Sequence, residues 1–578
     1  MKNNTLDTLI CGEVGSVLPR SIHPSKWSAL KLNPLNAIDF YKTGHVVQYP
    51  LGTTEVYSNF TARSDRLAPV LRAGPAAFDG KVVFFGLQGF IKSFLIATFN
   101  DGFFNIPKQQ AVRAYKRRLD TSLGLDAVDV SHIAALHDLG YLPLEVKALP
   151  EGSRVNIKVP FYTLRSTLDD FYWLTNYLET VFSSDTWKQI TVATIAYQYR
   201  RLLEHFADAT GADQSFVDWQ AHDFSARGLS GAFDAMVTGS AHLLSFTGTD
   251  SVSAIDYLEQ YYNANADTEL IGGSVPATEH SVMSMGGALD ELQTYRRLIT
   301  EVYPDGIISI VSDTWDFWRV ITEYTETLKA EILARRPNAM GQAKVVFRPD
   351  SGNPVHILTG YVVQDVDSLD DDAMLGLNQS TEAVQCGGRF YLFEATTEKS
   401  SQTVKEKNFS FVEIRKAEAK GAVECLWDIF GGTMTAKGYK VLNDRVGLIY
   451  GDSITLERAW HIMQRLMDKG FASTNTVLGV GSFSYQFLTR DCFGMAMKAT
   501  SGVVNGERRE LFKDPVTDNG TKKSARGLLR VEKEGDDFVL YDQQTTAQEG
   551  QGCLETVFCD GVLLRDESLA DIRARLRA

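Results

Sequence analysis

The sequence is poor in cysteine and has no cysteine pair at C-x-x-C spacing. Its six cysteines are scattered over 578 residues, without histidines at zinc-site spacing, so neither a zinc site nor a disulfide framework is predicted. The P-loop motif, the G-x-S-x-G nucleophile elbow and the H-E-x-x-H zinc motif are absent as well. These common catalytic motifs are therefore excluded, and the cysteines are expected to be reduced packing residues.

The sequence also has fewer basic than acidic residues and few long apolar runs. Lysine and arginine number 58 against 72 acidic residues, a formal net charge of -14, which argues against a general surface for nucleic acid or anionic membranes. The N-terminus lacks a continuous apolar core of signal-peptide length, and the most apolar segment is interrupted by Gln88, Lys92 and glycines. We expect a cytoplasmic protein that binds neither nucleic acid nor a membrane.

The middle of the chain repeats one local pattern, in which an apolar run ends at a charged residue or a glycine and a helical periodicity follows. The runs are HLLSFTGTD, GIISIVSD, KVVFRPD, VGLIYGD and TNTVLGVG. Strands alternating with helices predict a parallel sheet, and the residues that end its strands converge on one face. The residues expected at that face are Asp250, Asp313, Arg348, Asp350, Asp452 and Gly481.

These repeats favour an α/β fold with an irregular TIM-like barrel over residues 166–500. An open α/β sheet would gather the same residues at its switch point, so that alternative stays open. A more polar stretch at about 360–435 interrupts the pattern and is interpreted as an insertion. Short alternating runs towards both ends predict an additional β-rich domain, built from residues 1–165 and 501–578.

A set of motifs runs along the chain in one order: NAIDFYKTGHVVQYP, HDFSARGLS, SAHLLSFTGTD, SVPATEHS, FRPDSGNP and FKDPVTD. In that order they resemble the motifs of nicotinamide phosphoribosyltransferases, and the resemblance covers roughly residues 30–355 and 440–575. It implies the barrel fold of the type II phosphoribosyltransferases and a homodimer with shared active sites. The implied reaction converts nicotinamide and phosphoribosyl diphosphate to nicotinamide mononucleotide and diphosphate in NAD salvage.

The resemblance assigns residues to a nicotinamide pocket. Phe224 and Tyr41 match the aromatic pair that sandwiches the ring, with the tyrosine arriving from the other subunit. Asp250 matches the acceptor for the substrate amide, and its carboxylate would repel nicotinate, which carries a carboxylate in place of the amide. The other residues matched to this pocket and its edge towards the ribose phosphate are Asp39, Arg227, Ser274, Ser309 and Arg348.

A second group of matches concerns the phosphoribosyl diphosphate. Asp313 and Asp350 match residues at the shell of a Mg²⁺ ion, and Asp452 matches a residue near the ribose hydroxyls and the diphosphate. The turns that offer backbone amides to the 5′-phosphate are matched by Gly451, Gly481 and Ser482. Basic residues matched to the diphosphate across the dimer interface are Arg63, Arg490, Lys498 and Lys513.

His280, in SVPATEHS, matches the histidine that family members phosphorylate with ATP. A phosphohistidine stores energy near the diphosphate, so ATP is expected as a co-substrate. The resemblance thus makes His280, Asp313 and Asp350 the expected catalytic residues.

Other interpretations of the sequence stay open. A nicotinate phosphoribosyltransferase is disfavoured by Asp250. The only support for a phosphoribosyl-binding protein without turnover is the insertion together with Ser482 and Phe483, which stand where family members have glycines. The residues that argue against it are Asp313, Arg348, Asp350, Asp452 and His280. Strand-end acids alone would suit a metal-dependent barrel hydrolase or aldolase, which would not account for the aromatic pair.

Overall fold

The computed structural model describes residues 32–66, 68, 78–397, 407–512 and 525–578 of the chain. They form a mixed α/β fold whose strands are divided among a large, mainly antiparallel sheet, a parallel sheet and smaller sheets. Among the described helices, none is long and apolar enough to cross a membrane.

A seven-stranded sheet brings together segments from both ends of the chain. β1 (Thr53–Thr61) pairs antiparallel with β17 (Ala496–Val504) on one side and β5 (Pro160–Ser166) on the other. Its centre is apolar, since Phe60 and Tyr162 are fully buried and their rings stack with centroids 5.2 Å apart. The predicted domain boundaries stay a prediction. The other strands of this sheet are β3 (Leu144–Ala148), β18 (Glu507–Glu510), β21 (Glu555–Cys559) and β22 (Val562–Leu563).

A five-stranded parallel sheet carries most of the strand ends that the sequence singles out. Parallel sheets are covered on both faces, so their strands appear in the sequence as continuous apolar runs. All residues of β15 (Val446–Tyr450) are buried accordingly. The order across the sheet is β6 (Ala221–Asp223), β16 (Thr476–Val480), β15, β8 (Ala343–Arg348) and β7 (Gly306–Val311).

The segments between β6 and β7 make single parallel bridges instead of full strands. The apolar run before Asp250, which the sequence predicts as a strand, is helical up to His242 and then turns. Backbone hydrogen bonds of Leu243 and Phe246 to the preceding helical turn leave only the last residues of the run extended. The bridged pairs are Asp223 with Thr249, Gly248 with Gly273, and Ala277 with Ser309.

Helix caps hold the loops that follow the strands. After β8, the Asn353 side chain accepts a hydrogen bond from a backbone amide of the first turn, and Pro354 starts the helix, as expected for the sequence SGNP. After β15, Thr455 caps the next helix in the same way. Asp350 and Asp452 therefore lie in short loops at the same end of the sheet.

The insertion contains a four-stranded sheet that is anchored to the helices and loops around the parallel sheet. Burial opposes ionisation of Glu382, but hydrogen bonds from His356 and Arg465 hold its pKa at about 2. Arg415 Nη1 lies 2.8 Å from both carboxylate oxygens of Asp316, in the loop after β7. The strands are β9 (Val363–Asp365), β10 (Ala383–Cys386), β11 (Arg389–Thr397) and β12 (Lys407–Ile414).

A long helix, Glu179–Thr210, is buried along much of its length and ends at Gly211, whose φ of 65° is the left-handed conformation that glycine adopts readily. Two-stranded pairs are formed by β2 (Lys81–Val83) with β4 (Arg154–Asn156), β13 (Gly432–Met434) with β14 (Lys440–Leu442), and β19 (Leu528–Glu534) with β20 (Asp537–Gln544). Other longer helices span Lys108–Leu123, Ser131–Leu139, Ala232–His242, Val252–Tyr261, Ala422–Phe430, Leu456–Asp468 and Leu569–Arg577.

Candidate active site

His280, Asp313 and Asp350 form one cluster at the carboxyl end of the parallel sheet. Nε2 of His280 lies 3.3 Å from Oδ1 of Asp350 and 3.8 Å from Oδ1 of Asp313. The other ring nitrogen, Nδ1, lies 3.1 Å from Oγ1 of Thr314. Oδ2 of Asp313 accepts hydrogen bonds from the Asp350 amide (3.1 Å) and the Ser351 hydroxyl (2.5 Å). These bonds tie together the loops after β7 and β8.

The electrostatics of this cluster favour a bound cation. Burial and the neighbouring Asp313 carboxylate raise the pKa of Asp350 above its ordinary value, and the hydrogen bond with His280 opposes the shift. The Asp313 side chain is 5% exposed, and its Oδ1 is buried without a hydrogen-bond partner among the described residues. One ligand atom from each of the three side chains lies within 4.8 Å of the others. Two hard carboxylates in this arrangement fit Mg²⁺.

Arg348, at the end of β8, provides positive charge beside the carboxylates. Its Nη2 donates to the carbonyl of Thr278, whereas its Nε is buried without a partner among the described residues. Burial lowers the pKa of the guanidinium, and attraction to Asp350 and Asp250 opposes the shift. The side chain therefore has hydrogen-bond donors left over for an anionic ligand.

Phe224 follows β6, and its ring lies against two glycines. A Cβ atom at Gly479 would lie 2.3 Å from the ring Cδ2, and one at Gly451 would lie 3.5 Å from Cε2. The Cβ position at Gly451 is also 3.8 Å from side-chain atoms of both Arg348 and Asp350. A partly exposed aromatic face thus lies next to the charged cluster. An aromatic ligand could stack on this face while an anionic ligand binds beside it.

Asp250 is held in place through one of its oxygens. Oδ1 lies 2.8 Å from Nε2 of His222 and accepts a hydrogen bond from the Ser274 hydroxyl at 2.7 Å. Burial would raise the pKa of Asp250, but these hydrogen bonds and the attraction of Arg348 bring it below its ordinary value. The carboxylate is therefore ionised at neutral pH, and its side chain is 43% exposed. The His222 ring lies 4.9 Å from the Phe224 ring, which places the carboxylate near the aromatic face.

The turn after β16 is open at its glycine. A Cβ atom at Gly481 would meet no other atom within 4 Å, whereas one at Gly228 would lie 2.6 Å from Oγ of Ser482. Ser482 is thereby packed against the loop that carries Arg227, which is exposed and close enough to act on the charge of Arg348. A ligand group can approach Gly481 from solvent.

Asp452 and Ser309 take different places around the cluster. Asp452 is exposed after β15, and its carboxylate, together with those of Asp313 and Asp350, adds to the effect of burial in raising the pKa of Tyr450. Ser309 is 5% exposed within β7 and pairs with the segment that leads to His280. Asp452 thus adds a third carboxylate to those of Asp313 and Asp350, while Ser309 belongs to the buried strand that supports them.

Comparison with known proteins shows to which family the chain belongs. Residues 219–562 match the model of the Nicotinate phosphoribosyltransferase (NAPRTase) family, and residues 33–118 match that of the nicotinamide phosphoribosyltransferase N-terminal domain. The chain is 56% identical to the nicotinamide phosphoribosyltransferase of Acinetobacter baylyi, over 95% of this chain and 98% of that protein. The chain belongs to the nicotinamide phosphoribosyltransferase family.

Two further similarities are weaker. The nicotinamide phosphoribosyltransferase of Mycoplasma pneumoniae is 31% identical, over 86% of this chain and 95% of its own. Among solved structures, a nicotinate-nucleotide pyrophosphorylase from Pyrococcus furiosus aligns with 95% of this chain and 96% of its own, at 12% identity and a TM-score of 0.49.

Two residues matched to the base pocket of the family lie near the N-terminus. Tyr41 is 61% exposed; its ring lies edge-on to that of His45, and Nζ of Lys42 lies 5.1 Å from its centroid. Asp39 accepts a hydrogen bond from the Thr180 hydroxyl at 2.7 Å. Within the described part of the chain, no hydrogen bond or ion pair joins Asp39 or Tyr41 to His280 or Asp350.

The basic residues matched to the diphosphate are grouped on the seven-stranded sheet. Arg63 Nε donates to the carbonyl of Gly494 at 2.7 Å, in the turn that begins at Arg490. Lys498 lies in β17, in register with Asn59 of β1. The structure thus places Arg63, Arg490 and Lys498 as a basic group near one end of the β1–β17 pair, and Lys513 lies outside the described residues.

Sequence reasoning missed His222, Thr314 and Ser351. His222 had a detectable signal, because residues two apart in a strand share a face and Phe224 was already assigned to the pocket. Thr314 and Ser351 directly follow the two cluster aspartates, but a hydroxyl next to an aspartate is too common a pattern to indicate a site. Their contacts depend on how the loops after β7 and β8 meet.

Proposed function

We propose that the protein transfers the phosphoribosyl group of phosphoribosyl diphosphate to nicotinamide, forming nicotinamide mononucleotide and diphosphate in NAD salvage. The observation that carries the proposal is the 56% identity to the Acinetobacter baylyi enzyme over 95% of the chain. The site supports it, since an ionised carboxylate, an aromatic face and a cluster of side chains that could hold a cation lie together.

The base would lie on Phe224, with its amide nitrogen donating to Asp250. His222 and Ser274 both bind Oδ1 of that carboxylate, which leaves Oδ2 for the ligand. Nicotinate would bring a second negative charge to an already ionised carboxylate, and a desolvated pair of like charges is strongly unfavourable. The same contacts therefore select the amide over the acid.

The ribose would lie between Phe224 and the acidic cluster. As the bond from the anomeric carbon to the diphosphate breaks, the ring nitrogen of nicotinamide forms the new bond to that carbon and no protein nucleophile is needed. Mg²⁺ held by Asp313 and Asp350 would neutralise charge on the departing diphosphate. Arg348 would add donors to the same anion, and Gly481 and Ser482 would offer backbone amides to the 5′-phosphate.

We further infer a closed barrel and a homodimer. The single bridges between β6 and β7 support continuation of the parallel sheet into an irregular TIM-like barrel. The exposed side chains of Phe40, Tyr41, Val47 and Leu51 support a subunit interface, at which Tyr41 would complete the base pocket of the partner and the basic group would bind its diphosphate. A cytoplasmic location stays a prediction.

Replacing Asp250 by Asn tests the reaction and its base specificity together. Asn can keep the contacts with His222 and Ser274 through its oxygen, but its NH₂ group would then face the substrate amide and repel its donors. With phosphoribosyl diphosphate and Mg²⁺, we expect the wild-type protein to form mononucleotide from nicotinamide and not from nicotinate. In Asp250→Asn, we expect kcat/KM for nicotinamide to fall about tenfold to a hundredfold and nicotinate turnover to become measurable.

The matched control for this variant is Asp208→Asn, which removes a carboxylate whose side chain is 82% exposed and lies 3.8 Å from Nζ of Lys437. Mass spectrometry of the products identifies the base used. Unchanged kinetics with both bases in Asp250→Asn would exclude the assigned role. Bound phosphoribosyl diphosphate without mononucleotide from either base would instead support a binding protein without turnover.

His280→Ala tests the role of ATP. In the proposed coupling, one ring nitrogen of His280 takes the γ-phosphoryl group of ATP and ADP leaves, which adds charge beside Asp350 and the diphosphate. We expect the ratio of initial rates with and without ATP to exceed one in the wild type and to equal one in the variant. The ratio is used because loss of the imidazole also changes the basal rate. ATP stimulation of equal size in His280→Ala would contradict the proposal.

A further inference from the structure

His242 is a fully buried histidine that contacts neither the cluster nor the aromatic face directly. Its Nδ1 lies 2.7 Å from the Tyr485 hydroxyl, and its Nε2 lies 3.1 Å from the carbonyl oxygen of Gly248. Its ring also stacks on Phe246, with centroids 5.2 Å apart and an angle of 25° between the planes. Both polar atoms of the ring are thus engaged, and the ring cannot turn without loss of packing.

The partners of His242 fix the direction of both hydrogen bonds. A carbonyl oxygen can only accept, so the proton is on Nε2 and points at Gly248. Nδ1 then accepts from the Tyr485 hydroxyl. Burial lowers the pKa of His242 to about 4, so the ring is neutral at physiological pH. The result is a continuous, directed chain from Tyr485 through the imidazole to Gly248.

One end of this chain is the turn proposed for the 5′-phosphate. Tyr485 is the last residue of the short helix Ser482–Tyr485, and its amide donates to the carbonyl of Gly481 at 3.3 Å. On the other side of that helix, Ser484 bonds to the buried Tyr199 hydroxyl at 2.8 Å. The position of the turn is therefore set by the buried side chains of Tyr485 and Ser484.

The other end is the loop that carries Asp250. Gly248 lies two residues before it, and the Gly248 carbonyl also accepts from the Asp223 amide at 3.1 Å. The Asp250 amide in turn donates to the carbonyl of Asp223 at 3.0 Å. A Cβ atom at Gly248 would lie 2.7 Å from Nδ1 of His222, the residue that orients the Asp250 carboxylate. A displacement of Gly248 would therefore reach Asp250 through both backbone and side chain.

We propose that His242 is a positioning residue that fixes the Asp250 loop relative to the Gly481–Tyr485 turn, so that the base and the phosphoribosyl group are held in register. The inference rests on the proposed function and deepens it. We call the hydrogen bond from Nε2 to Gly248 the Nε2 arm and that between Nδ1 and Tyr485 the Nδ1 arm. The Nε2 arm acts on base recognition, and the Nδ1 arm acts on recognition of the phosphoribosyl diphosphate.

Two amide substitutions separate the two arms. The Gln side chain can place an N–H near the position of Nε2, and the Asn side chain can place an acceptor near that of Nδ1. In His242→Asn, we expect the KM for nicotinamide to rise about tenfold and the preference for nicotinamide over nicotinate to fall by a similar factor. In His242→Gln, we expect that preference to stay within about twofold of wild type while the KM for phosphoribosyl diphosphate rises about fivefold.

Tyr485→Phe provides a gentler variant, since it removes only the hydroxyl that donates to Nδ1. We expect it to match His242→Gln, with the effect confined to the KM for phosphoribosyl diphosphate. Tyr162→Phe is the control, because it removes another buried hydroxyl, whose partners Thr186 and Phe182 belong to neither loop. Thermal melting of all variants shows the folded fraction, so that a purely structural loss is recognised by equal falls in every rate without a change of base preference.

The outcomes that would overturn the proposal are distinct from failure of the proposed function. Equal changes in His242→Asn and His242→Gln, or an unchanged base preference in a folded His242→Asn, would refute the division between the arms. If the wild-type protein itself transferred no phosphoribosyl group, the proposed function would fail. Hydrogen exchange over residues 243–251 without substrate still tests the structural link, with faster exchange expected in His242→Asn than in His242→Gln; equal exchange would refute it.

Discussion

Asp313→Asn is expected to lower kcat for phosphoribosyl transfer about a hundredfold to a thousandfold. Oδ2 of Asp313 already accepts from the Asp350 amide and the Ser351 hydroxyl. The Asn oxygen would take that position, because two donors point at it. The NH₂ group would then occupy the site of the buried, unpartnered Oδ1, where a cation is expected. The substitution would replace a metal ligand by two positively polarised hydrogens.

The measurement is kcat as a function of Mg²⁺ concentration, for the wild type and the variant. Loss of a ligand is expected to raise the Mg²⁺ concentration needed for half-maximal rate as well as to lower the maximum. Asp208→Asn again serves as the control for loss of one negative charge at an exposed position. A variant that retained the wild-type dependence on Mg²⁺ and most of its rate would exclude Asp313 as a ligand.

The sequence predicted those parts of the site that depend on strand ends. β7 ends two residues before Asp313, and β8 ends at Arg348, two residues before Asp350, because apolar runs that are buried on both faces stop where the chain meets charge. Residues in such loops could therefore be assigned to one face of a parallel sheet from the sequence alone.

The parts that depend on distant contacts could not be predicted in this way. The segment before Asp250 has the composition of a strand, but the preceding helix continues to His242 and leaves only single bridges at Gly248 and Thr249. Whether the His222 side chain meets that of Asp250 depends on how the segment with these bridges is aligned with β6. No periodicity in a single sequence specifies that register.

The residues that we propose to act across a subunit interface could not be predicted from their types either. Tyr41 and the basic group of Arg63, Arg490 and Lys498 were assigned from the family resemblance alone, since each would otherwise be an ordinary surface residue. Their exposure and grouping on the seven-stranded sheet add a geometric argument that the residue types themselves could not supply. The insertion shows the same limit, because the contact of Arg415 with Asp316 joins residues 99 positions apart.

Gly479→Ala is expected to disable base binding without touching any group that contacts the diphosphate. The added Cβ atom would lie 2.3 Å and 2.6 Å from two carbons of the Phe224 ring and 3.0 Å from the Cα of Gly451. The contact with the Gly451 backbone prevents the new Cβ atom from shifting in that direction, so the Phe224 ring must move away from residue 479. Because a displacement of about 1 Å in a reacting complex can cost about a hundredfold in rate, we expect kcat/KM for nicotinamide to fall by that order.

The KM for nicotinamide and the melting temperature separate displacement of the ring from loss of the fold. Overpacking of this kind costs about 1–3 kcal/mol of stability. Gly550→Ala is the matched control, since its Cβ atom would have no neighbour closer than 3.6 Å. In the double variant Gly479→Ala with Phe224→Leu, the smaller side chain relieves the clash, so we expect the melting temperature to recover while the KM for nicotinamide stays high. If Gly479→Ala bound nicotinamide as the wild type does, the base would have to lie elsewhere than on Phe224.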